Sequence, residues 1–186
     1  MRKLFSLLSL LFFLGISTFV SAQATYIHCG NLIDGVNDEV QSQKTVIIKG
    51  STIQAIEDGY TDVPSDADYI DLKDQTVLPG LIDMHVHIES ETSPNDYIKQ
   101  FTLNEADIAY NAIGYANTTL MSGFTTVRDV GGTGVNISLR NAIDAGKVDG
   151  PRIFTSGKSI ATTGGHADPT NGWKDDIEGI PVPSRV

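Results

Sequence analysis

Two of the chain's four histidines, His85 and His87, stand one residue apart in the apolar run "LPGLIDMHVHI". In a strand successive side chains point to opposite faces, so the reading places Asp83, His85 and His87 on one face and Met84, Val86 and Ile88 on the other. Imidazoles at i and i+2 lie roughly 7 Å apart along the backbone. Their rings can converge on one cation, at about 2.0–2.1 Å from each nitrogen. The chemistry on offer is therefore the binding of a metal ion. Asp83 suits a partner that orients one of the rings. The plainer alternative is a pair of hydrogen-bonded structural histidines. What favours metal is position, since the pair ends the first strand of a strand–helix series, where barrel active sites form.

The elements that must hold this pair begin at Pro79-Gly80. "LIDMHVHI" reads as a buried strand. A helical segment follows, with Ile108, Ala112, Tyr115, Ala116, Thr119 and Leu120 at helical spacing and Gly123 as its stop. "FTTVRDVGG" is a second strand, and "NISLRNAIDAG" a helix with Asn136 as N-cap and Gly146 at its end. "GPRIFTSGKSI" is a third strand. Alternation of this kind means parallel pairing with right-handed crossovers, so residues 79–186 are α/β. Residues 25–78 differ. The runs "TYIHCG", "KTVIIKG", "STIQAIE" and "ADYIDLKDQTVL" are β-branched and punctuated by Gly, Asn and Asp, and Lys49-Gly50-Ser51 marks a hairpin. This is a small β-structure.

Residues 1–24 read as a secretory signal peptide: "MRK", an uncharged apolar stretch, then small residues, with cleavage after Ala22 or Ala24. The alternative is a transmembrane anchor, for which the apolar run is at the lower limit of length; with cleavage the expected location is secreted or periplasmic, with no stable membrane anchor. Removing Arg2 and Lys3 with no acid takes the formal net charge from −10 to −12. So acidic a chain repels phosphate backbones, which argues against nucleic acid as a partner. Cys29, the single cysteine, has no internal disulfide partner and reads as a small packing residue. His28 reads likewise as a packing histidine.

Other motifs carry less. "DVGGTGVN" follows a strand and opens a helix, but Ile137 stands where a dinucleotide fingerprint needs its third glycine. The glycines are read as a tight turn at the barrel mouth. "TSGKS" has Arg152 where a phosphate loop needs its first glycine. Arg128 and Asp129 close the second strand and read as an internal ion pair, the alternative being that one points to the barrel mouth. In "TTGGH", His166 stands on a glycine-rich loop after the third strand, at the expected active face, the alternative being a surface histidine in a flexible loop.

Residues 25–170 resemble the N-terminal part of the amidohydrolase superfamily, metal-dependent hydrolases on a (β/α)8 barrel, in its imidazolonepropionase-like and prolidase-like branch. The resemblance rests on "NLIDG", "VIIKGSTIQAI", "TVLPGLIDMHVH", "GFTTVRDVGG", "GPRIFTSGKSI" and "TGGHADPTNG". It implies that 79–186 is the start of a TIM-type barrel, about three of eight strands, and that 25–78 is part of a composite β-sandwich. It implies that His85 and His87 ligate the more buried of one or two divalent ions, zinc foremost, and that His166 reaches the substrate, a small amide, cyclic amide or dipeptide. The remaining ligands and the catalytic aspartate fall on later strands, beyond Val186, so no catalytic residue is assigned. From Pro79 to Val186 there are 108 residues, against roughly 250 for a whole barrel. The chain alone is therefore expected to be inactive. The competing expectations are a non-catalytic or split fragment completed by a separate C-terminal chain, and a nucleotide-dependent α/β enzyme.

Overall fold

The computed structural model describes residues 23–168 and 170–174. The expected signal peptide lies outside them except for Gln23 and Ala24. Among the described residues no helix is long and apolar enough to cross a membrane. The chain divides into two compact units between Pro79 and Gly80.

The first unit is one four-stranded sheet. Strands β1 (Ala24–Leu32), β2 (Gln41–Lys49), β3 (Thr52–Asp58) and β4 (Asp68–Val77) lie in the order β3-β2-β1-β4. β2 and β3 form the hairpin foreseen at Lys49-Gly50-Ser51, with Gly50 at φ 61°, a conformation that glycine adopts without Cβ strain. β1 and β4 run parallel. Cys29, Leu32 and Val46 form the buried cluster, with Ile27, Ile48 and Val77 packed against it. Burial pushes the Cys29 thiol's pKa up. His28 is buried as a packing residue, with Nε2 3.0 Å from the Thr61 carbonyl and its ring stacked on Tyr60.

The second unit is α/β. Strands β5 (Leu81–Val86), β6 (Phe124–Asp129) and β7 (Arg152–Thr155) are parallel in the order β5-β6-β7. Between β5 and β6 the expected helical segment is two helices, α1 (Asp96–Thr102) and α2 (Glu105–Met121), because Leu103 takes an extended conformation. A capping box starts α2, in which the Asn104 N–H donates to Asp107 Oδ2 at 2.9 Å. Ala112 and Ala116, one turn apart on α2, are fully buried, and their small side chains let the helix lie close on the sheet. With Ile88, Val127, Leu139 and Ile153 they make the core.

Helix α3 (Val135–Asp144) corrects one expectation. Its N-cap is Gly134, at φ 108°, with no side-chain cap. Asn136 lies inside the first turn and is fully buried, its amide bonded to groups outside the helix. The residue type suggested a cap because Asn so often serves there. Here tertiary partners decide its use.

One backbone approach in the first unit is testable. The β1–β4 register shifts between Cys29 and Asn31, and a Cβ on Gly30 would collide with the Lys73 carbonyl oxygen. Gly30→Ala should therefore cost about 1–3 kcal/mol, seen as an earlier urea unfolding midpoint. An unchanged midpoint would refute the close approach.

Candidate metal centre

The site begins with an irregularity in β5. Across the β5–β6 pair Asp83 registers with Val127 and Val86 with Asp129. β5 thus advances three residues where β6 advances two, which is a bulge. Residues level with each other on parallel strands share a face. Asp83 and Val86 are therefore on the side of Val127 and Asp129, and the extra residue sets Met84 and His85 together opposite Arg128. This explains why Met84, expected against the helices, is 55% exposed.

Two side chains close the backbone at the bulge. Asp83 Oδ1 accepts the His85 backbone N–H at 2.9 Å, and Arg128 Nε donates to the Met84 carbonyl at 2.6 Å. Two expectations change in consequence. Asp83 serves the backbone of His85, because the bulge removes it from the face of the imidazoles. Arg128 and Asp129 do not form the expected ion pair, since adjacent residues of β6 point to opposite faces.

His85 and His87 do come together. Their ring centroids are 5.6 Å apart, with planes at 74°, and both residues are exposed. β5 ends at Val86, so His87 sits just past the strand. Its Nδ1 lies 2.7 Å from the Gly131 carbonyl oxygen. A carbonyl only accepts, so Nδ1 carries a proton in this bond, and of the two neutral tautomers it selects the one with its lone pair at Nε2. That is the state a metal ligand needs.

Behind the pair lie three buried polar residues. Asp129 is 1% exposed; its Oδ2 accepts the Ile88 N–H at 3.1 Å, and its Oδ1 accepts Gly131 N–H at 2.9 Å and Asn136 Nδ2 at 3.1 Å. Desolvation by burial raises its pKa, while these donors pull the other way. Asn136 Nδ2 also donates to the Gly157 carbonyl at 2.8 Å. Glu89 accepts the Thr133 N–H on Oε2 and the Asn136 N–H on Oε1, each at 2.6 Å. Its carboxylate thus occupies the positive end of α3. A Cβ on Gly132 would strike that carboxylate. The glycine loop that invited a nucleotide reading is filled by the protein's own acid.

The sequence reading passed over Glu89, and it gave Asp129 and Asn136 other duties. The available signal was an acid two residues past the histidine pair, together with a glycine loop that opens a helix and lacks its third glycine. A cavity of about 280 Å³ adjoins this region, lined in part by His87, Ser90, Lys99, Tyr115 and Gly131. His166 is exposed on the loop after β7, where Asp168 Oδ2 accepts the Gly164 N–H at 2.8 Å. Among the described residues no hydrogen bond or ring contact joins His166 to His85 or His87.

The donor set fits a divalent ion in part. The pair offers imidazole nitrogen, which suits zinc. Among the described residues, however, no group of three or more His, Cys, Asp or Glu side chains is arranged to hold a metal. The buried acid is testable by itself. Glu89→Gln puts an amide NH₂ against one of the two backbone N–H groups, so it should cost about 1–3 kcal/mol and lower the thermal midpoint. An unchanged midpoint would refute the double hydrogen bond.

The Amidohydrolase family profile matches residues 76–180. A solved Xaa-Pro dipeptidase, with methionine bound in its active site, superposes with TM-score 0.76 at 50% identity, covering 87% of this chain and 40% of that one. Ochratoxinase of Aspergillus niger is 28% identical over 153 residues, 79% of this chain and 31% of its own length. Dihydroorotase of Mycobacterium leprae is 34% identical over 87 residues, 47% of this chain and 19% of its own length. The chain thus spans about a third of the ochratoxinase. The match over more than half its residues agrees with a His-Val-His pair at the end of the first of three parallel strands: the chain belongs to the amidohydrolase family and carries the beginning of a (β/α)8 barrel.

Proposed function

We propose that this chain supplies the first metal-binding strand of a secreted or periplasmic hydrolase that cleaves a C–N bond in a small amide or dipeptide. The observation that carries the proposal is the His85–His87 pair, with ring centroids 5.6 Å apart and His87 Nδ1 2.7 Å from the Gly131 carbonyl oxygen. The similarity to a Xaa-Pro dipeptidase supports a dipeptide among those substrates.

In this reading His85 and His87 would hold a divalent ion, zinc foremost, together with ligands from later strands. The chemistry such an ion supplies is activation of water and polarisation of the scissile carbonyl. The chain's own residues do the positioning. The bulge at Met84–His85 brings the two rings to one face, and the Gly131 carbonyl holds the proton of His87 at Nδ1. His166, on its loop, is assigned contact with the substrate. The pair fills at most half of a four-coordinate shell, so residues 25–186 alone should hydrolyse nothing.

The full-length protein decides the matter. Loaded with zinc, it should hydrolyse Xaa-Pro or N-acyl amino acid substrates and lose that activity to a chelator. His87→Ala should lower kcat/KM by more than the roughly 10–100-fold that loss of a supporting partner costs. Activity indifferent to both treatments would overturn the reading.

A further inference from the structure

We propose that Asp129 is a positioning residue for His87, acting through the Gly131 peptide to fix the imidazole's tautomer and direction. The proposal rests on the reading of His87 as a metal ligand.

One carboxylate holds both halves of the His87 hydrogen bond. Oδ2 of Asp129 accepts the N–H of Ile88, the residue that follows His87. Oδ1 accepts the N–H of Gly131, whose carbonyl receives the His87 Nδ1 proton. The segment bearing the ring and the segment bearing its acceptor are thus pinned to two oxygens about 2.2 Å apart by ordinary carboxylate geometry. Across that grip Nδ1 and the carbonyl oxygen are 2.7 Å apart.

The Gly131 peptide has little freedom of its own. Gly131 sits at φ 153°, and any Cβ there would collide with Ser159. Asn136 braces the arrangement from the far side, sharing Oδ1 and tying it to the Gly157 carbonyl. Three backbone or amide donors converge on Asp129, which suits a carboxylate and does not suit an amide. An asparagine in its place keeps the shape but replaces one acceptor with a donor, so it can hold Ile88 or Gly131 but not both. His87 then loses its fixed acceptor, and the lone pair is no longer confined to Nε2.

The test is nitrogen-15 NMR of the histidine rings in metal-free, full-length protein, beside zinc affinity measured by competition with a chelator. Wild-type His87 should appear as the Nδ1–H form, with Nδ1–H exchange slower than for His85. Asp129→Asn should lose that preference and weaken zinc binding by about 10–100-fold. Asn136→Ser loosens the same network but spares both backbone bonds of the carboxylate, so it should lower the thermal midpoint yet leave the tautomer unchanged. A folded Asp129→Asn protein with the wild-type tautomer and zinc affinity would overturn the proposal. So would a tautomer change of equal size in Asn136→Ser, which would reduce Asp129 to general support. If Asp129→Asn does not fold, Asp129→Glu, which keeps two acceptors but displaces them by one methylene, takes its place: a lost Nδ1–H preference with weakened zinc binding sustains the proposal, and the wild-type tautomer and affinity overturn it. Absence of zinc binding in the wild type would sink the metal reading, while the tautomer result would still judge Asp129.

Discussion

The second unit turns on a carboxylate buried at the end of its central strand. Taking Asp129 out of water is costly, and the cost is met only if its oxygens find donors. They find one in the loop after β5, one in the loop after β6 and one in the first turn of α3. Asn136, held by Asp129, reaches onward to the loop after β7. Three loops that would otherwise move separately at the carboxyl ends of three strands become one assembly. The histidine pair stands on that assembly, so its geometry is as well fixed as the network beneath it.

Glu89 extends the same logic to the helix. The N-terminus of α3 exposes N–H groups that seek an anion. In other α/β proteins a glycine-rich loop at such a place is left open for a phosphate. Here Gly132 gives the room, and the acid that fills it comes from the β5 loop. One feature therefore stabilises the helix and fills the place where such a phosphate would sit.

Much of this was legible beforehand. The period-two and helical patterns gave the β-rich first unit, the parallel strands and the placement of His85 and His87 at a strand's carboxyl end. The limits were physical. A bulge leaves no mark in "LIDMHV", since it depends on pairing with "FTTVRD", so Asp83 seemed to share the histidines' face. Asn136 looked like a cap because sequence shows only its neighbours along the chain, while its partners Asp129 and Gly157 are distant in sequence. Arg128 and Asp129 looked like a pair for the same reason, though the pleat sends them to opposite sides.

The network also has a consequence for how the protein is made. Among the described residues, the hydrogen-bond network from His87 through Gly131, Asp129 and Asn136 lies between residues 87 and 157. Chains emerge from the ribosome amino end first, and local units organise as they appear. The imidazole pair can therefore be set at its final angle early in synthesis. In the proposed reading, later strands would meet a histidine pair already in register and would need only to bring their own ligands to it.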